Sequence, residues 1–513
     1  MRTTLREEFD HALRRYRARV AVEHAGRRWT YHDVDRWSAA VAVQLADHGV
    51  RAGDAVALHM GNCVEFVVAD VAVARLGAVK VPVNPLLPPS TVEHVLRASK
   101  ARVVVRGTSL PATAGVPSLV VDDGGGRPRA RDEVLVPSPP PGRPAPGPAP
   151  APPDPGIGAG DRAAIYFTGG TTGLPKGVVH TQASAVAVHR AQLLEAEITA
   201  DDRLLLSTPL AHAAGLFAQS ALIRGATSVI EEGFDAASVL DQLRDNGITW
   251  TFLVPTMIYR LLDAAGGQAE HRLRTVVYGA APIAPSRLAA ALEVFGPVFV
   301  QLYGQTECPN WGTRLAKSDH DPARPDLLGS AGQASIDADV QVVSNDGDPL
   351  PAGETGEICL RSPYTLECYL DDPEATAAKF LPGGWIRTGD IGFLDDGGYL
   401  HLRDRTSDMV ISGGMNVYCR EVEDALARHP AVARVAVIGV PHDDWGEAVH
   451  AVVVPGPGFD AAVLLDWARG ELAGYARPKT VEIVDALPET PFGKIDKKVL
   501  RAPHWAGRDR AIG

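Results

Sequence analysis

The stretch TGGTTGLPKG, from Thr168 to Gly177, decides how this sequence is interpreted. It follows the apolar run AAIYF, contains four glycines and three threonines, and precedes VVHTQASAVAVHR, where we expect a helix. Such a loop can surround oxyanions with backbone N–H groups and hydroxyls, and Lys176 adds a point charge. It is not the P-loop of nucleoside triphosphatases, GxxxxGKS/T, because Pro175 precedes the lysine and a glycine follows it. The sequence predicts another kind of phosphate loop; the alternative is a glycine-rich turn with a solvated lysine.

The composition describes a large acidic chain with a sizeable core. Of its 513 residues 45% are apolar, and the net charge of −12 is spread without long like-charge runs. We therefore expect no general attraction to nucleic acid or to an anionic membrane. No apolar run reaches the roughly 20 residues of a membrane helix, and the start of the chain lacks the apolar core of a signal peptide.

The five cysteines lie far apart, with no CxxC pair. This spacing argues against a disulfide framework and against a zinc site, and it fits a reducing cytosol. We therefore predict a soluble cytoplasmic protein with no membrane span and no nucleic-acid partner.

Helix and strand patterns alternate along the chain, which predicts an α/β protein. Strands are expected at AVALHM, ARVVV, TFLVP, TVVY and VFVQLY, among others. Eleven of the nineteen residues from Pro137 to Pro155 are proline, which predicts an exposed connection, either between domains or within one. After Gly356 the sequence is rich in glycine and strand patterns, and a smaller α/β pattern follows. The predicted domains are residues 1–404 and 405–513.

A second motif, LYGQTE, follows an apolar strand and ends at Glu307. Ligands of α/β sheets bind at the carboxyl ends of strands, where this motif is expected to lie. Tyr303 can stack on a base, Thr306 can contact a phosphate, and a carboxylate is a ligand that Mg²⁺ prefers. The alternative is an ordinary exit from a strand into a loop.

Two further motifs carry isolated charged residues. In GWIRTGD, Asp390 is expected after a tight turn, where a carboxylate can accept both hydroxyls of a ribose. In PETPFGKIDKKVL, Lys494 is expected in a loop before a helix. The alternatives are a hairpin aspartate and a surface lysine.

The order of the motifs identifies a family. The chain carries, in sequence, WTYHDVDRWSAAVAVQLADHGVRAGDAVAL, TGGTTGLPKGVVHT, PLAHAAG, YGAAPI, YGQTE, GETGEI, WIRTGD, RTSDMVISGGMNVYCREVE, GVPHDDWGE and PFGKIDKKVLR. It resembles, over nearly its whole length, the adenylate-forming superfamily of acyl- and aryl-CoA synthetases, peptide-synthetase adenylation domains and firefly-type luciferases. Stand-alone acyl-CoA or aryl-CoA ligases are the most similar members. The resemblance implies a large N-terminal domain of mixed sheets layered with helices plus a small distorted β-barrel. It also implies a small mobile α/β C-terminal domain, with a hinge near Ser407.

The resemblance implies a reaction in two halves. A carboxylate attacks the α-phosphate of Mg·ATP to give an acyl-adenylate and pyrophosphate, and CoA then displaces AMP to give a thioester. Positioned cations near developing charge are the largest usual contribution to lowering such a barrier. The implied small molecules are thus ATP, Mg²⁺, CoA as co-substrate and a carboxylic acid.

The resemblance also assigns roles to residues. The implied ATP-binding residues are Thr168, Gly169, Gly170, Thr171, Thr172, Gly173, Lys176, Gly279, Ala280, Ala281, Tyr303, Gly304, Gln305, Thr306, Asp390, Arg405 and Lys494. The implied catalytic residues are Lys494, Thr306 and His212, and the implied Mg²⁺ ligand is Glu307. Asp390 would hold the ribose hydroxyls with help from Arg405, and Lys494 would bridge the attacking carboxylate and the α-phosphate.

Two more sets of residues are implied for the acyl group and for CoA. The acyl pocket would be lined by His212, Ala213, Ala214 and Gly215, and the CoA tunnel by Gly413, Gly414 and Trp445. Amino-acid-activating relatives carry an aspartate after the aromatic position, whereas this chain has Ala213 there. A buried ammonium without a counter-charge is costly, so we expect an acid without an α-amino group. The small residues Ala213, Ala214 and Gly215 leave volume, so we expect that acid to be bulky and apolar: aryl, alicyclic or fatty. The alternatives are that His212 only gates the pocket by packing and that Trp445 is a surface anchor.

Three positions depart from the family pattern. Ser407 stands at the hinge, where aspartate or lysine is frequent, and Cys419 stands where proline is usual. Lys497 stands where arginine is frequent. Because proline stiffens the backbone, the turn before Cys419 is expected to be looser in this chain.

Four functions compete at this stage. The first is a stand-alone carboxylate–CoA ligase, and the second is an acyl-adenylate ligase that passes its product to a carrier protein or an amine. The third is a binding protein that keeps the fold without turnover, and the fourth is a kinase, which would release ADP rather than AMP. The sequence names no particular acid and leaves a homodimer open.

Overall fold

The computed structural model describes residues 2–112, 115–123, 133–137, 155–168, 174–405, 408–413, 415–442, 444–489 and 495–506. The chain divides into two compact units. The N-terminal unit comprises Met1–Val340 and Leu360–Ile386, and the C-terminal unit comprises Gln341–Cys359 and Arg387–Gly513. The hinge at Ser407 and nearly all of the proline-rich segment fall outside the described residues. The predicted domain boundary near residue 405 therefore stays a prediction.

The described helices and strands alternate as the sequence predicts. The α-helices are α1 (Leu5–Arg15), α2 (Tyr31–Asp47), α3 (Val64–Arg75), α4 (Pro89–Ala98), α5 (Gln182–Glu195), α6 (Ala213–Arg224), α7 (Ala236–Asp245), α8 (Pro255–Ala265), α9 (Pro285–Phe295), α10 (Pro325–Leu328), α11 (Pro373–Lys379), α12 (Cys419–Ala427), α13 (Ala461–Glu471) and α14 (Lys497–Arg501). The strands are β1 (Val20–His24), β2 (Arg27–Thr30), β3 (Ala55–His59), β4 (Val79–Pro82), β5 (Val103–Gly107), β6 (Ser118–Val121), β7 (Glu133–Val134), β8 (Arg162–Thr168), β9 (Lys176–Thr181), β10 (Arg203–Leu206), β11 (Thr227–Ile230), β12 (Trp250–Leu253), β13 (Thr275–Gly279), β14 (Phe299–Gln305), β15 (Cys308–Leu315), β16 (Gln333–Ala334), β17 (Asp339–Val343), β18 (Gly356–Arg361), β19 (Cys368–Tyr369), β20 (Phe380–Leu381), β21 (Trp385–Leu394), β22 (Leu400–Arg405), β23 (Val410–Ser412), β24 (Met415–Val417), β25 (Val432–His442), β26 (Gly446–Pro455) and β27 (Thr480–Ile483).

Two large sheets form the N-terminal unit. The described strands give a nine-stranded sheet in the order β16-β15-β14-β13-β12-β10-β11-β1-β2 and an eight-stranded sheet in the order β19-β9-β8-β4-β3-β5-β6-β7. The neighbours from β14 to β1 in the first sheet pair in parallel. Parallel strands are covered on both faces, which explains why TVVYG and VVVRG are buried at every position. The predicted α/β fold is thus confirmed.

A smaller sheet forms the core of the C-terminal unit. Its described strands run in the order β24-β23-β26-β25, and β27 pairs with β26 in parallel. Helices α12 and α13 cover this sheet with buried apolar side chains such as Val422, Leu426 and Leu464. In the same unit β21 and β22 form an antiparallel pair, with Asp390 opposite Arg405.

Two expectations about local structure are wrong. The helix expected after Lys176 begins only at Gln182, because Val178 and Val179 place β-branched side chains in buried positions of strand β9. Asp390 lies within strand β21 rather than after a turn, since Gly389 takes a left-handed φ of 77° without ending the strand.

The glycine-rich segment after Gly356 forms strands, as predicted. Its described strands lie in an open sheet and close into no barrel, so the small distorted β-barrel is not found as a closed structure. Within the part of the chain described here, no helix combines the length and the apolarity that crossing a bilayer demands.

Candidate active site

Strands β8 and β9, on either side of the glycine-rich segment of the opening motif, form a hairpin. Strands β8 and β9 pair antiparallel, and their register brings Thr168 opposite Lys176. Gly169–Gly173 lie outside the described residues. The side chain of Lys176 is 41% exposed, its Nζ lies 3.2 Å from a carboxylate oxygen of Asp372, and it stands 5.5 Å from the ring centre of Tyr369. The ammonium of Lys176, at the start of β9, is therefore held at a defined place.

A second hairpin presents Thr306 and Glu307. Gln305 of β14 pairs with Cys308 of β15, so that Thr306 and Glu307 form the two-residue turn between them. The strand was expected to end at Tyr303, before this glycine, but it continues through Gly304 to Gln305. Gly304 permits this path, because a Cβ there would lie 2.7 Å from the Cys308 carbonyl oxygen.

The carboxylate of Glu307 is fixed by two partners that the sequence analysis missed. The hydroxyl of Tyr369 donates to Glu307 Oε1 at 2.6 Å, and Lys379 Nζ lies 3.8 Å from the same oxygen. Lys379 Nζ also donates to Gln305 Oε1 at 3.3 Å. Burial, followed by the Glu307 charge, raises the pKa of Tyr369, so that this phenol remains a donor. Tyr369 lies between Glu307 and Lys176, which connects the two hairpins.

The turn that contains Thr306 and Glu307 is also fixed by a hydrogen bond from His180. Its Nε2 donates to the carbonyl oxygen of Thr306 at 2.8 Å. Burial lowers the pKa of His180 to about 4, so the imidazole is neutral at pH 7 and its proton is on Nε2. His180 belongs to β9, so strand β9 carries Lys176 at its start and fixes Thr306 near its end.

The segment Gly279–Ala281 follows strand β13 beside this hairpin. Gly279 pairs with Leu302, and a Cβ on it would lie 2.4 Å from the Leu302 carbonyl oxygen. Ala280 is exposed and has a φ of 65°. Such a conformation is uncommon for a residue other than glycine, and strained backbone is enriched at functional sites. Tyr303, in the neighbouring strand, is 9% exposed.

His212 lies at the start of helix α6. The side-chain amide of Asn84 donates to His212 Nε2 at 2.9 Å, which leaves the imidazole proton on Nδ1. Ala213 is half-buried and Ala214 is buried. A Cβ at Gly215 would lie 2.1 Å from the carbonyl oxygen of Leu210. Position 215 therefore requires glycine because the turn packs closely against it. The interpretation from the sequence was instead that its small size leaves volume in the acyl pocket.

The implied ribose ligand belongs to the C-terminal unit. Asp390 is 6% exposed, and its Oδ1 lies 3.2 Å from Nε of Arg405 on the paired strand. The Asp390 N–H donates to the hydroxyl of Thr388 at 3.0 Å. The structure thus brings together Asp390 and Arg405, which the sequence separates by a strand and a turn. Lys494 lies outside the described residues.

The structure also brings together Gly413 and Trp445. The Gly413 N–H donates to the Trp445 carbonyl oxygen, and Gly413 has a φ of 58°. Trp445 is 38% exposed and stacks on His442 with ring centres 4.2 Å apart. Lys479 Nζ lies 4.8 Å from the indole, on an exposed aromatic surface. Gly414 lies outside the described residues.

Cys419 has a polar role that a proline could not fill. Its backbone N–H donates to a carboxylate oxygen of Asp404, and its thiol donates to the Asp408 carbonyl oxygen at 3.0 Å. Burial raises the pKa of Asp404 to about 6. Lys497, a second departure, forms a 2.7 Å ion pair with the partly buried Glu423. Cys419 and Lys497 therefore belong to one partly buried polar cluster, in which the Cys419 N–H donates to the carboxylate of Asp404.

Comparison with known proteins identifies the family. Residues 9–370 match the family described as "AMP-binding enzyme", and residues 421–494 match the family described as "AMP-binding enzyme C-terminal domain". The chain is 36% identical over 491 residues to a feruloyl-CoA synthase of Amycolatopsis, which covers 94% of this chain and 95% of that protein. It is 43% identical over 358 residues to the medium/long-chain-fatty-acid–CoA ligase FadD8 of Mycobacterium tuberculosis, which covers 68% of this chain and 62% of that one. The amide bond synthetase McbA from Marinactinospora thermotolerans has a similar structure, with a TM-score of 0.86, 34% identity, and coverage of 96% of this chain and 99% of that one.

Proposed function

Since this chain belongs to the AMP-binding enzyme family, we propose that it is an ATP-dependent carboxylate–CoA ligase. It is an AMP-forming acid–thiol ligase that makes an acyl-adenylate and then an acyl-CoA thioester. The observation that carries the proposal is the Lys176–Tyr369–Glu307 arrangement, in which an ammonium lies over a tyrosine ring and a carboxylate accepts from the hydroxyl of the same ring. A cation for phosphate oxygens and an anion for a metal ion are the two charges that Mg·ATP requires.

The residues around Glu307 fit a magnesium ion. Tyr369 and Lys379 contact Glu307 Oε1, and the carboxylate has a second oxygen, which is the hard ligand type that Mg²⁺ favours. In this proposal Glu307 holds the ion, which supplies positive charge to the phosphates of ATP. Tyr369 sets the orientation of the carboxylate, and His180 fixes the backbone of the same turn.

The remaining nucleotide contacts are proposed residue by residue. Thr168–Gly173 and Lys176 bind the outer phosphates, Gly279–Ala281 and Tyr303 enclose the adenine, and Thr306 contacts the α-phosphate. Asp390 holds the ribose hydroxyls, with Arg405 keeping its carboxylate in place. Lys494, the last of these proposed residues in the sequence, brings its charge to the attacking carboxylate. Positioned charge of this kind acts without reorganising when the reaction occurs.

The acid is proposed to be a non-amino aryl, alicyclic or fatty acid. The position after His212 is Ala213, so a substrate ammonium near the start of α6 would have no carboxylate from that position. In this proposal His212 stands beside the reacting carboxylate, and the contact of its Nε2 with Asn84 sets the orientation of the imidazole. The enzyme is proposed to be cytoplasmic, which agrees with five cysteines that are all free.

A second candidate is an acyl-adenylate ligase whose acceptor is an amine or a carrier protein. The observation in its favour is the structural similarity to McbA, an amide bond synthetase. The exposed Trp445 beside Lys479 and Gly413 supports CoA, since an aromatic and a cation on one surface suit a CoA arm. Both candidates share the first half-reaction and differ in the acceptor alone.

The test is a panel of carboxylic acids scored by pyrophosphate release, first without and then with CoA. The proposal predicts that aryl, alicyclic or fatty acids release pyrophosphate and that CoA increases turnover with formation of a thioester. Free α-amino acids should be poorer than their des-amino analogues. Turnover that responds to an amine or a carrier protein but not to CoA would favour the second candidate, and no release with any acid would contradict both.

A further inference from the structure

Two histidines and a glutamate that have no role in the proposed ligase reaction meet in the C-terminal unit. His450 lies on strand β26, Glu482 on the neighbouring strand β27, and His504 in the turn after helix α14. One nitrogen or oxygen from each lies within 4.8 Å of the others. His450 Nε2 is 3.3 Å and His504 Nε2 is 3.8 Å from the same oxygen, Glu482 Oε2.

We propose that His450, Glu482 and His504 form a zinc-binding site. Two imidazoles and one carboxylate are a ligand set that binds Zn²⁺, with a fourth position left for water. At zinc–ligand distances of about 2.0–2.1 Å, the edge of a tetrahedron is about 3.3 Å. The His450–Glu482 distance of 3.3 Å already equals this edge, and the His504–Glu482 distance of 3.8 Å is half an ångström longer.

The orientation of His450 is fixed by a second residue. His450 is 6% exposed, and its Nδ1 lies 2.6 Å from the hydroxyl oxygen of Thr480. When Nδ1–H donates to that oxygen, Nε2 keeps its lone pair and directs it towards Glu482. A histidine that binds a metal usually donates its other N–H in this way, which sets both tautomer and ring angle.

The other two ligands, Glu482 and His504, are accessible to an ion from solvent, and His504 is also fixed in position. The side chain of Glu482 is 49% exposed and that of His504 is 31% exposed, so the cluster opens to solvent. His504 is nevertheless held in place, because the next residue, Trp505, donates from its indole to the Gly439 carbonyl oxygen at 2.9 Å. An ion at this point joins β26, β27 and the turn after α14, so zinc should stabilise the C-terminal unit.

The spacing of the cysteines has no bearing on this cluster, whose ligands are separated by 32 and 22 residues in the sequence and share no motif. The proposal does not depend on the proposed ligase reaction, since none of its three ligands has a role there. Its test therefore uses binding and stability rather than activity.

The experiment measures zinc binding to the full chain by equilibrium dialysis, without nucleotide, and the visible absorption of the cobalt-substituted protein. The variants are His504→Ala and Glu482→Gln, which each remove one ligand. The matched control is His401→Ala, because His401 pairs with Asp395 at 2.9 Å in the same unit without a second histidine. Thermal unfolding is recorded with and without zinc for each protein.

The wild type and His401→Ala should bind one zinc ion per chain and give the strong visible bands of tetrahedral cobalt. Both should unfold at a higher temperature when zinc is present. His504→Ala and Glu482→Gln should bind zinc at least tenfold more weakly and lose the temperature shift. Absence of zinc binding to the wild type would overturn the proposal. It would also be overturned if the two ligand variants bound zinc as tightly as the wild type, because the ion would then lie elsewhere.

Discussion

At the scale of single residues, Tyr369 joins the two hairpins of the N-terminal unit. Its hydroxyl donates to Glu307 and its ring faces Lys176. Tyr369→Phe keeps the ring and removes the donor to a charged acceptor, an interaction of about 1.5–3 kcal/mol. We expect adenylate formation to fall roughly tenfold to a hundredfold, with a weaker dependence on Mg²⁺. Pyrophosphate exchange at varied Mg²⁺ measures this.

The control for this variant is Tyr475→Phe, since Tyr475 is 44% exposed. It should retain the wild-type rate. If Tyr369→Phe also retained the wild-type rate and Mg²⁺ dependence, Tyr369 would not position the metal ligand.

Ala213 gives a test of the acyl pocket that Gly215 cannot give. Any side chain at Gly215 would meet the Leu210 carbonyl oxygen, whereas Ala213 is only half-buried. Ala213→Phe should shift preference towards shorter acids and leave the KM for ATP nearly unchanged, because the added ring occupies the acyl side only. Gly215→Ala should instead lower the unfolding midpoint. Competition between a short and a long acid measures the first effect.

An unchanged ratio of short to long acids in Ala213→Phe would remove this residue from the acyl pocket. A raised KM for ATP with the same ratio would place it on the nucleotide side instead.

The sequence could show which residue types matter here but not what holds them. Thr306 and Glu307 were found because they share one short motif. Tyr369, Lys379 and His180 were missed, because each comes from another strand or helix and reaches the turn only in the folded sheet. Their signals, a tyrosine near a DDPE stretch and a histidine in a strand, are too common to be read alone.

At the scale of elements, helix α12 begins at Cys419, where the family usually has proline. A proline there suits the first turn of a helix, but it has no N–H to donate to Asp404. Cys419→Pro should therefore leave the partly buried carboxylate of Asp404 short of a donor and destabilise the C-terminal unit by about 1–3 kcal/mol. Cys419→Ala keeps the N–H and should lose less. Urea unfolding of the two variants makes the comparison.

The same pair of variants bears on the catalytic cycle. Since α12 follows the turn proposed to line the CoA tunnel, Cys419→Pro should alter the CoA half-reaction and leave pyrophosphate exchange almost unchanged. A large effect on exchange alone would show that this element acts in the first half-reaction. Equal stability of the two variants would show that the bond to Asp404 contributes nothing.

Elements were predicted well where pattern and length agree and poorly at their joins. Strands such as β3, β5, β12 and β13 were confirmed, because short apolar runs bounded by turn residues predict buried strands. The residues of strand β9 were predicted to be part of the following helix, since nothing in VVHT marks the start of a helix before Thr181, which caps α5. Gly389 was taken as the end of a strand, although a left-handed glycine can also form an irregularity within one.

At the scale of the whole molecule, the N-terminal unit buries several neutral histidines. The pKa of each is lowered by burial, to about 4 for His59, His180 and His320 and about 3 for His189. A histidine whose folded pKa is below its unfolded value of about 6.5 adds stability above that pH, and the stability is lost as pH falls towards the folded value. The urea concentration at the unfolding midpoint should therefore decrease as the pH is lowered from 6.5 to 4.5.

His189→Gln should flatten this dependence, because glutamine keeps a neutral polar group beside Ser220 without a proton to bind. The control is His401→Gln, on a partly exposed histidine. It should show the same slope as the wild type. A midpoint that is constant over the whole range would contradict this account of acid sensitivity.

The family and the α/β fold could be predicted for the whole chain because ten motifs occur in family order. That the described strands close into no barrel could not be predicted, since closure depends on strand pairing that no motif encodes. The zinc cluster was missed for the same reason, as its ligands converge only through the pairing of β26 with β27.

The central claim is that this enzyme cleaves ATP at the α-phosphate and transfers the acyl group to CoA. The most direct test incubates the enzyme with ATP, Mg²⁺, CoA and the best acid of the panel, and quantifies every product. The account predicts AMP, pyrophosphate and acyl-CoA in equal amounts. Lys494→Ala should lower the rate by two to three orders of magnitude, about 3–4 kcal/mol of positioned charge. Release of ADP, or AMP formation without consumption of CoA, would contradict it.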